Sequence, residues 1–285
     1  MDDFLILDGA VGTQLEAYNV PLVLPIWSAD ANLNFQEVVI KIHKAYILAG
    51  ADIITANTFR STPWAYRKAG FSNKKALNRS KDSFFYGIDC AFKAAATTTQ
   101  IAASVTTVDD CYLPENFPGK TAAEDNYGQL LDWISQTDVN IVLFETMGNF
   151  EELKIAIEMS SNTTKLIWIS LIMKDKDSLL DGTTIPTVMN MIQSNNIDML
   201  LLNCNNLNLT GQALEERVEF RHYNIGAYPN LGLKEYENNF SEILNEFKFK
   251  TYMDSILDYK LSILGTCCGS SPQHTKILKT LKQGI

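Results

Sequence analysis

Cys204, Cys267 and Cys268 are the residues of this chain best suited to chemistry. Cys267 and Cys268 are adjacent in Ile263-Leu264-Gly265-Thr266-Cys267-Cys268-Gly269, and Cys204 lies upstream in Leu201-Leu202-Asn203-Cys204-Asn205. Both clusters follow short apolar runs that read as buried strands, and both precede polar turn residues. Three thiols at strand ends could hold one zinc ion and leave its fourth position open, as in a catalytic rather than a structural site. Gly265 and Gly269 flank the pair and permit the sharp turn that adjacent thiols need to reach one metal. Taken alone, Cys204 would read as a small buried hydrophobe, as Cys90 (in an apparent helix) and Cys111 (in a loop after Asp109-Asp110) do. The adjacent pair changes that balance. Asp8 and Glu145 are carboxylates at strand ends in apolar surroundings. Asp8 could merely cap the turn at Gly9 and Glu145 merely pair with a lysine, yet either suits a ligand ammonium group. His43, His222 and His274 all fall in helix-like segments, so a Ser-His-Asp or Cys-His mechanism has little support.

These side chains need a scaffold. Eight short apolar runs recur along the chain: Phe4–Leu7, Ile53–Ala56, Ile101–Val105, Ile141–Phe144, Leu166–Leu171, Met199–Leu202, Asn224–Tyr228 and Leu261–Leu264. Each has the length and composition of a strand buried on both faces, as in a parallel sheet. Helical patterns lie between them. The pattern from Phe35 to Ala49 is amphipathic and stops at Gly50, a C-cap residue. Those over Lys74–Ala95, Ala122–Gln136, Phe150–Met159, Ile185–Ser194 and Gln273–Leu281 are similar, with Asn149 an N-cap ahead of Glu151 and Glu152. Thr210–Phe220 is a weaker helix, and Leu233–Tyr259 is helix-prone but irregular. Strands alternating with helices in this way predict a (β/α)8 barrel, the TIM barrel of the α/β class. A doubly wound open sheet is the alternative, but Asp8-Gly9-Ala10-Val11-Gly12-Thr13 lacks the G-x-G-x-x-G spacing expected after its first strand. In a barrel, Asp8, Asn57-Thr58, Glu145, Ser170, Asn203-Cys204, Asn230 and Cys267-Cys268 all stand where strands end, and Cys204 can converge with Cys267-Cys268.

The chain has 285 residues with no linker or low-complexity tract, which suits one domain over residues 1–285. Lys and Arg number 24 against 33 Asp and Glu, a net charge of -9. This argues against a nucleic-acid partner, whose footprint would be a basic stripe, and is compatible with a cationic small molecule. No run approaches the roughly 18 apolar residues of a membrane span. The acidic start, Met1-Asp2-Asp3-Phe4, is unlike the basic region that opens a signal peptide. Five cysteines in a chain of this size suit a reducing cytoplasm better than a disulfide scaffold.

Several motifs, in order along the chain, resemble the zinc-dependent homocysteine S-methyltransferases. They are Leu7-Asp8-Gly9-Ala10-Val11-Gly12-Thr13-Gln14-Leu15-Glu16, Ile26-Trp27-Ser28, Ala49-Gly50-Ala51-Asp52-Ile53-Ile54-Thr55-Ala56-Asn57-Thr58-Phe59-Arg60, Phe144-Glu145-Thr146, Asn203-Cys204, Tyr228-Pro229-Asn230 and Gly265-Thr266-Cys267-Cys268-Gly269. The resemblance implies zinc held by Cys204, Cys267 and Cys268, and homocysteine bound through its amino group by Asp8 and Glu145. Backbone amides near Gly9 and Thr58 would meet its carboxylate, and Asn230 completes the substrate-binding set. Zinc would activate the thiol as nucleophile for in-line methyl transfer, forming methionine. Two departures from the family pattern fall near the expected donor pocket. Ser104-Val105-Thr106-Thr107-Val108-Asp109-Asp110 replaces a Gly-Pro-Tyr/Trp-Gly-like loop, and Leu231-Gly232-Leu233 follows Asn230 where a small residue is usual before the glycine. The chain ends at Ile285, soon after the eighth helix, with no cobalamin or folate module. A free donor such as S-methylmethionine or S-adenosylmethionine is therefore expected. The alternatives are another thiol or a selenol as acceptor, a separate methyl-corrinoid protein as donor, and a non-catalytic zinc- or thiol-binding barrel.

Overall fold

Runs of apolar residues without polar interruption satisfy two buried faces at once, and here they form parallel strands. In the computed structural model, which describes residues 4–215, 223–232 and 244–284, eight strands make one parallel sheet. They are β1 (Leu5–Ile6), β2 (Ile53–Ala56), β3 (Gln100–Thr106), β4 (Ile141–Met147), β5 (Leu166–Leu171), β6 (Met199–Asn206), β7 (Ile225–Asn230) and β8 (Ile263–Leu264). Their order around the sheet is β1-β8-β7-β6-β5-β4-β3-β2. The two ends of that order meet: Leu7 bridges Ile53 in parallel, and the Asp8 amide donates to the Ile53 carbonyl at 3.0 Å. The sheet is thus closed as the barrel expected from the sequence, and no open edge is left at β1 or β2.

Helices cover the outside: α1 (Gln36–Ala49), α2 (Asn73–Ala94), α3 (Lys120–Ser135), α4 (Phe150–Ser160), α5 (Ile185–Gln193), α6 (Leu207–Glu215), α7 (Glu246–Leu257) and α8 (Pro272–Gln283). Shorter helices, Val11–Ala17, Ala31–Asn34 and Pro63–Lys68, lie in the connections. Gly50 ends α1 at φ +117°, and the Asn149 side chain caps α4 by accepting from the Glu152 amide at 3.0 Å, both as expected. The strand side chains alternate between two apolar layers. Leu7, Ile53, Ala102, Ile141, Leu143, Trp168, Met199, Leu201, Tyr228 and Ile263 fill the barrel interior. Ile6, Ile54, Val142, Ile169, Leu200, Leu202 and their neighbours pack outward against the helices.

Differences from the sequence reading cluster at the strand ends. The first strand is shorter than Phe4–Leu7, whereas β4 and β6 run on past Phe144 and Leu202. Both longer strands carry a register shift, between Phe144 and Met147 and between Asn203 and Asn206. A residue in the left-handed region lies inside each, Thr146 at φ +56° and Cys204 at φ +55°. Such a conformation costs a residue with a Cβ about 1–2 kcal/mol. A small antiparallel hairpin, Met173–Asp175 with Ser178–Leu179, follows β5 and had no signal in the sequence. The helix expected over Thr210–Phe220 is described as Leu207–Glu215, and residues 216–222, His222 among them, lie outside the described residues. Residues 233–243 of the irregular stretch also lie outside them, and its later part is the regular helix α7.

Candidate active site

By simple alternation Cys204 would follow Leu200 and Leu202 outward to the helix layer. The bulge and left-handed backbone at Cys204 turn its side chain to the barrel mouth instead. There Cys204 Sγ lies 2.7 Å from Cys267 Sγ and 3.5 Å from Cys268 Sγ. All three sulfurs fall within 4.8 Å of one another. The end of β7 holds the vicinal pair in place. The Cys267 amide donates to the Pro229 carbonyl at 2.8 Å, and the Leu231 amide to the Cys268 carbonyl at 2.9 Å. Gly269 sits at φ +79°, so the turn after the pair uses its freedom as expected. Gly265 has a different task. It is not left-handed, but a Cβ there would lie 2.8 Å from Leu7 Cβ, so glycine allows β8 to pack close to β1.

The donor set fits zinc. Thiolates bound tetrahedrally at about 2.3 Å lie roughly 3.8 Å apart, which is within the span these sulfurs occupy. Within the ligand-free cluster the three thiols share their protons unevenly, with Cys268 held low and Cys204 and Cys267 raised. Hydrogen bonds from Cys204 and then Cys267 hold the Cys268 thiol well below its ordinary range. Cys267 is pushed up by the same bonds, first with Cys204 and then with Cys268, and by burial. Cys90 and Cys111 are both buried, and burial raises each thiol to about 11.

Asp8 and Glu145 are also at this mouth, both deeply buried. Asp8 accepts the Thr55 amide at 3.0 Å and the Thr55 hydroxyl at 2.8 Å. Burial nevertheless pushes its carboxyl well above the usual range, and the Glu145 charge adds to the rise. Glu145 accepts a short hydrogen bond from Ser104 and one from the Tyr228 hydroxyl at 3.0 Å, and burial raises its pKa too. Two buried carboxyls, one of which feels the charge of the other, stand in a desolvated mouth with no cation bonded to either among the described residues, and so form a receptor for a positive group.

The remaining expected residues line or brace the same end. A side chain on Gly9 would collide with the Ser270 hydroxyl and lie 2.8 Å from Tyr46 Oη, so the loop after β1 passes close beneath both. Thr58 donates its hydroxyl to the Ser104 carbonyl at 2.7 Å and its amide to the Ala56 carbonyl at 2.7 Å. It thereby ties β2 to β3, and its own amide is engaged within the protein. Asn230 Oδ1 accepts the Gly232 amide at 3.0 Å, shaping the turn beside the cysteine pair. Ser170 and Asn203 meet in the interior, where Asn203 Oδ1 takes the Ser170 hydroxyl at 2.7 Å and the Thr146 amide at 3.0 Å.

Some neighbours were not singled out from the sequence. Tyr112, in the segment after β3, brings its hydroxyl to 3.0 Å from Cys204 Sγ. Thr55 and Tyr228 belong to strands and to the motifs of the resemblance, but the sequence assigns neither of them a role at the site. Ser104 falls both in the expected strand Ile101–Val105 and at the start of the stretch to Asp110, and it lies within β3, which continues through Thr106. A period-two signal would have found Thr55 and Tyr228 as inward positions, whereas Tyr112 has no periodic neighbour to mark it. The two described histidines stay outside the site. His43 is buried in α1, where desolvation lowers it to about 4, and His274 Nδ1 accepts the Ser271 amide at the start of α8.

With this geometry in place, the comparisons with known proteins agree with it. The sequence model of a family described as homocysteine S-methyltransferase matches residues 5–281. A homocysteine S-methyltransferase of Escherichia coli (strain K12) is 24% identical, over 97% of this chain and 94% of that protein. A selenocysteine Se-methyltransferase of Brassica oleracea var. italica is 23% identical, over 94% of this chain and 86% of its own. Among solved structures, the metallated form of the homocysteine methyltransferase MmuM from Escherichia coli superposes with a TM-score of 0.83 at 22% identity. That superposition covers 98% of this chain and 96% of the other. At that identity the likeness is one of fold. No helix among the described residues is long and apolar enough to cross a membrane.

Proposed function

The chain belongs to the homocysteine S-methyltransferase family, and from that premise we propose that it moves a methyl group from a small sulfonium donor to the thiol of homocysteine, forming methionine, with zinc held by Cys204, Cys267 and Cys268. S-Methylmethionine and S-adenosylmethionine are the donors proposed. The observation that carries this reading is the convergence of three thiols and two buried carboxylates on one barrel mouth. We read residues 1–285 as one catalytic barrel working in a reducing compartment such as the cytoplasm, where its thiols stay free.

When bound, zinc would keep the substrate sulfur deprotonated and nucleophilic at neutral pH. The rest is the work of side chains. Asp8 and Glu145 take the homocysteine ammonium group, which offsets the cost of holding two charges out of water. Thr55 fixes the Asp8 carboxylate, while Ser104 and Tyr228 fix Glu145, so the ammonium finds its partners already aimed. Amides of the turns around Gly9 and Thr58 are assigned to the substrate carboxylate, and Asn230 with its turn borders the acceptor pocket. The donor's sulfur–methyl bond breaks as the bond to the homocysteine sulfur forms, and the donor leaves as a neutral thioether. That leaving group needs no proton, which suits a site whose described histidines lie elsewhere. Positioning of the two sulfurs supplies much of the rate.

A selenol acceptor is the second reading, favoured by the likeness to the selenocysteine Se-methyltransferase. A separate methyl-corrinoid protein as donor would leave the acceptor half unchanged. The test is zinc content of the wild type and Cys268→Ala, followed by methionine formation from homocysteine with each sulfonium donor in turn. One zinc per chain that is lost in the variant, with methionine made from one donor, is the expected result. Absence of zinc in protein purified under reducing conditions would overturn it. Zinc without turnover would move the acceptor to the selenol or the donor to the corrinoid.

A further inference from the structure

The Tyr112 hydroxyl stands 3.0 Å from Cys204 Sγ, although Tyr112 belongs to a connection and Cys204 to a strand three places round the barrel. That connection is firmly held. The Val108 amide donates to Glu152 Oε1 at 2.6 Å, and the same oxygen takes the Tyr127 hydroxyl at 2.8 Å. The Asp109 carboxylate takes Trp64 Nε1 at 2.9 Å and Lys68 Nζ at 2.6 Å, while Arg60 donates to the Asp109 carbonyl. The Tyr112 amide donates to Asp110 Oδ1 at 2.9 Å, and Asn149 donates to the Pro114 carbonyl at 3.1 Å. The segment that carries Tyr112 is therefore pinned from the β2 side and from the start of α4.

A site of this kind has a selectivity problem. Its own cysteine thiolates are nucleophiles, and a methyl donor that serves homocysteine can also alkylate them. A phenol beside a thiolate donates its proton to the sulfur, which can only accept. That hydrogen bond draws on the lone pair an alkylating agent would attack.

We propose that Tyr112 is a positioning residue that hydrogen-bonds Cys204 and so keeps this cysteine a metal ligand instead of a competing methyl acceptor. The inference rests on reading the site as a zinc–thiolate methyltransferase centre. In the side reaction it suppresses, the donor's carbon–sulfur bond breaks, a Cys204 Sγ–methyl bond forms and the donor leaves as a neutral thioether. Cys204 would then be a thioether with no negative charge for the metal.

The test uses the zinc-loaded Tyr112→Phe protein, which keeps the ring and removes only the O–H. Methyl iodide serves as the probe because it needs no donor pocket, and peptide mass spectrometry reads each cysteine without homocysteine present. Loss of a hydrogen bond to a charged acceptor should raise Cys204 methylation about tenfold, with Cys267, which has no bond to Tyr112 among those described, keeping its wild-type rate and zinc leaving as Cys204 is capped; Cys268, which Tyr112 also reaches, is free to rise with it. An unchanged Cys204 rate, or a Cys267 rate that rises as much as that of Cys204, would overturn the proposal. Should Tyr112→Phe fail to fold, Asp109→Asn loosens the same connection and should raise Cys204 methylation above that of Cys267, and no rise there counts against the proposal equally. Methionine formation is measured separately. Its failure beside a selective Cys204 effect would reject the overall function and leave the Tyr112–Cys204 coupling standing.

Discussion

Tyr228 on β7 reaches Glu145 on β4 across the barrel mouth, its hydroxyl donating to Oε1 at 3.0 Å while Ser104 holds Oε2. A carboxylate fixed from two sides cannot swing to meet a ligand, so the ligand must come to it. Glu145→Gln keeps the shape and removes the charge. A hydrogen bond to a charged group is worth about 1.5–3 kcal/mol, so KM for homocysteine should rise roughly ten- to a hundredfold with zinc content unchanged. The same variant tested with a thiol lacking the amino group should show little change. If both acceptors suffer alike, Glu145 does not read the ammonium.

Asp8 gives a pH-dependent prediction. Burial raises its carboxyl well above the unfolded value, with Glu145 adding to the rise. A raised acid stabilises the ligand-free fold while protonated and loses that contribution as pH climbs through the folded pKa. Asp8→Asn should therefore melt higher than wild type at neutral pH without ligand, with the gap closing at acidic pH where both side chains are neutral. Homocysteine should stabilise the wild type and leave the variant nearly unmoved. Thermal melts across pH with and without homocysteine decide this, and a variant that melts lower at neutral pH would show that Asp8 is structural.

Chelation separates the two classes of cysteine. Cys204, Cys267 and Cys268 meet at the mouth, while Cys90 and Cys111 are buried with thiols raised to about 11. A chelator applied to the folded protein should expose three rapidly reacting thiols, and unfolding should expose all five of the sequence. Added zinc should protect the three again. Five fast thiols in the native protein would show that chelation unfolds the barrel.

The barrel was legible because its eight apolar runs are short and separated by amphipathic helices, a pattern that depends on burial alone. Cys204, Cys267, Cys268, Asp8 and Glu145 stood out because unusual residue types closed those runs. What stayed hidden depends on backbone exceptions and on contacts between distant segments. Nothing about a cysteine announces the left-handed conformation that turns Cys204 inward, and Thr146 is a poorer candidate still, being β-branched. Tyr112 owes its place to Asp109, Glu152, Lys68 and Trp64, whose partners are separated from them by about forty residues or more. Gly265 and Gly269 read alike in sequence, yet one serves close packing and the other a left-handed turn.

Gly269 permits a controlled comparison. A methyl group there would lie 2.6 Å from the Gly232 amide nitrogen and 2.9 Å from its Cα, so the backbone after Asn230 would have to move away from the cysteine pair. Gly182 has a similar φ, +86° against +79°, but open space around it. Alanine at Gly182 should cost only the left-handed penalty of about 1–2 kcal/mol and leave zinc untouched. Alanine at Gly269 should carry that penalty plus the steric one, and it should lower zinc occupancy because Leu231 and Pro229 are hydrogen-bonded to Cys268 and Cys267. Melting temperature and bound zinc are measured for both variants. Equal losses of stability with full zinc in each would mean that the close approach of Gly232 does not set the position of the thiols.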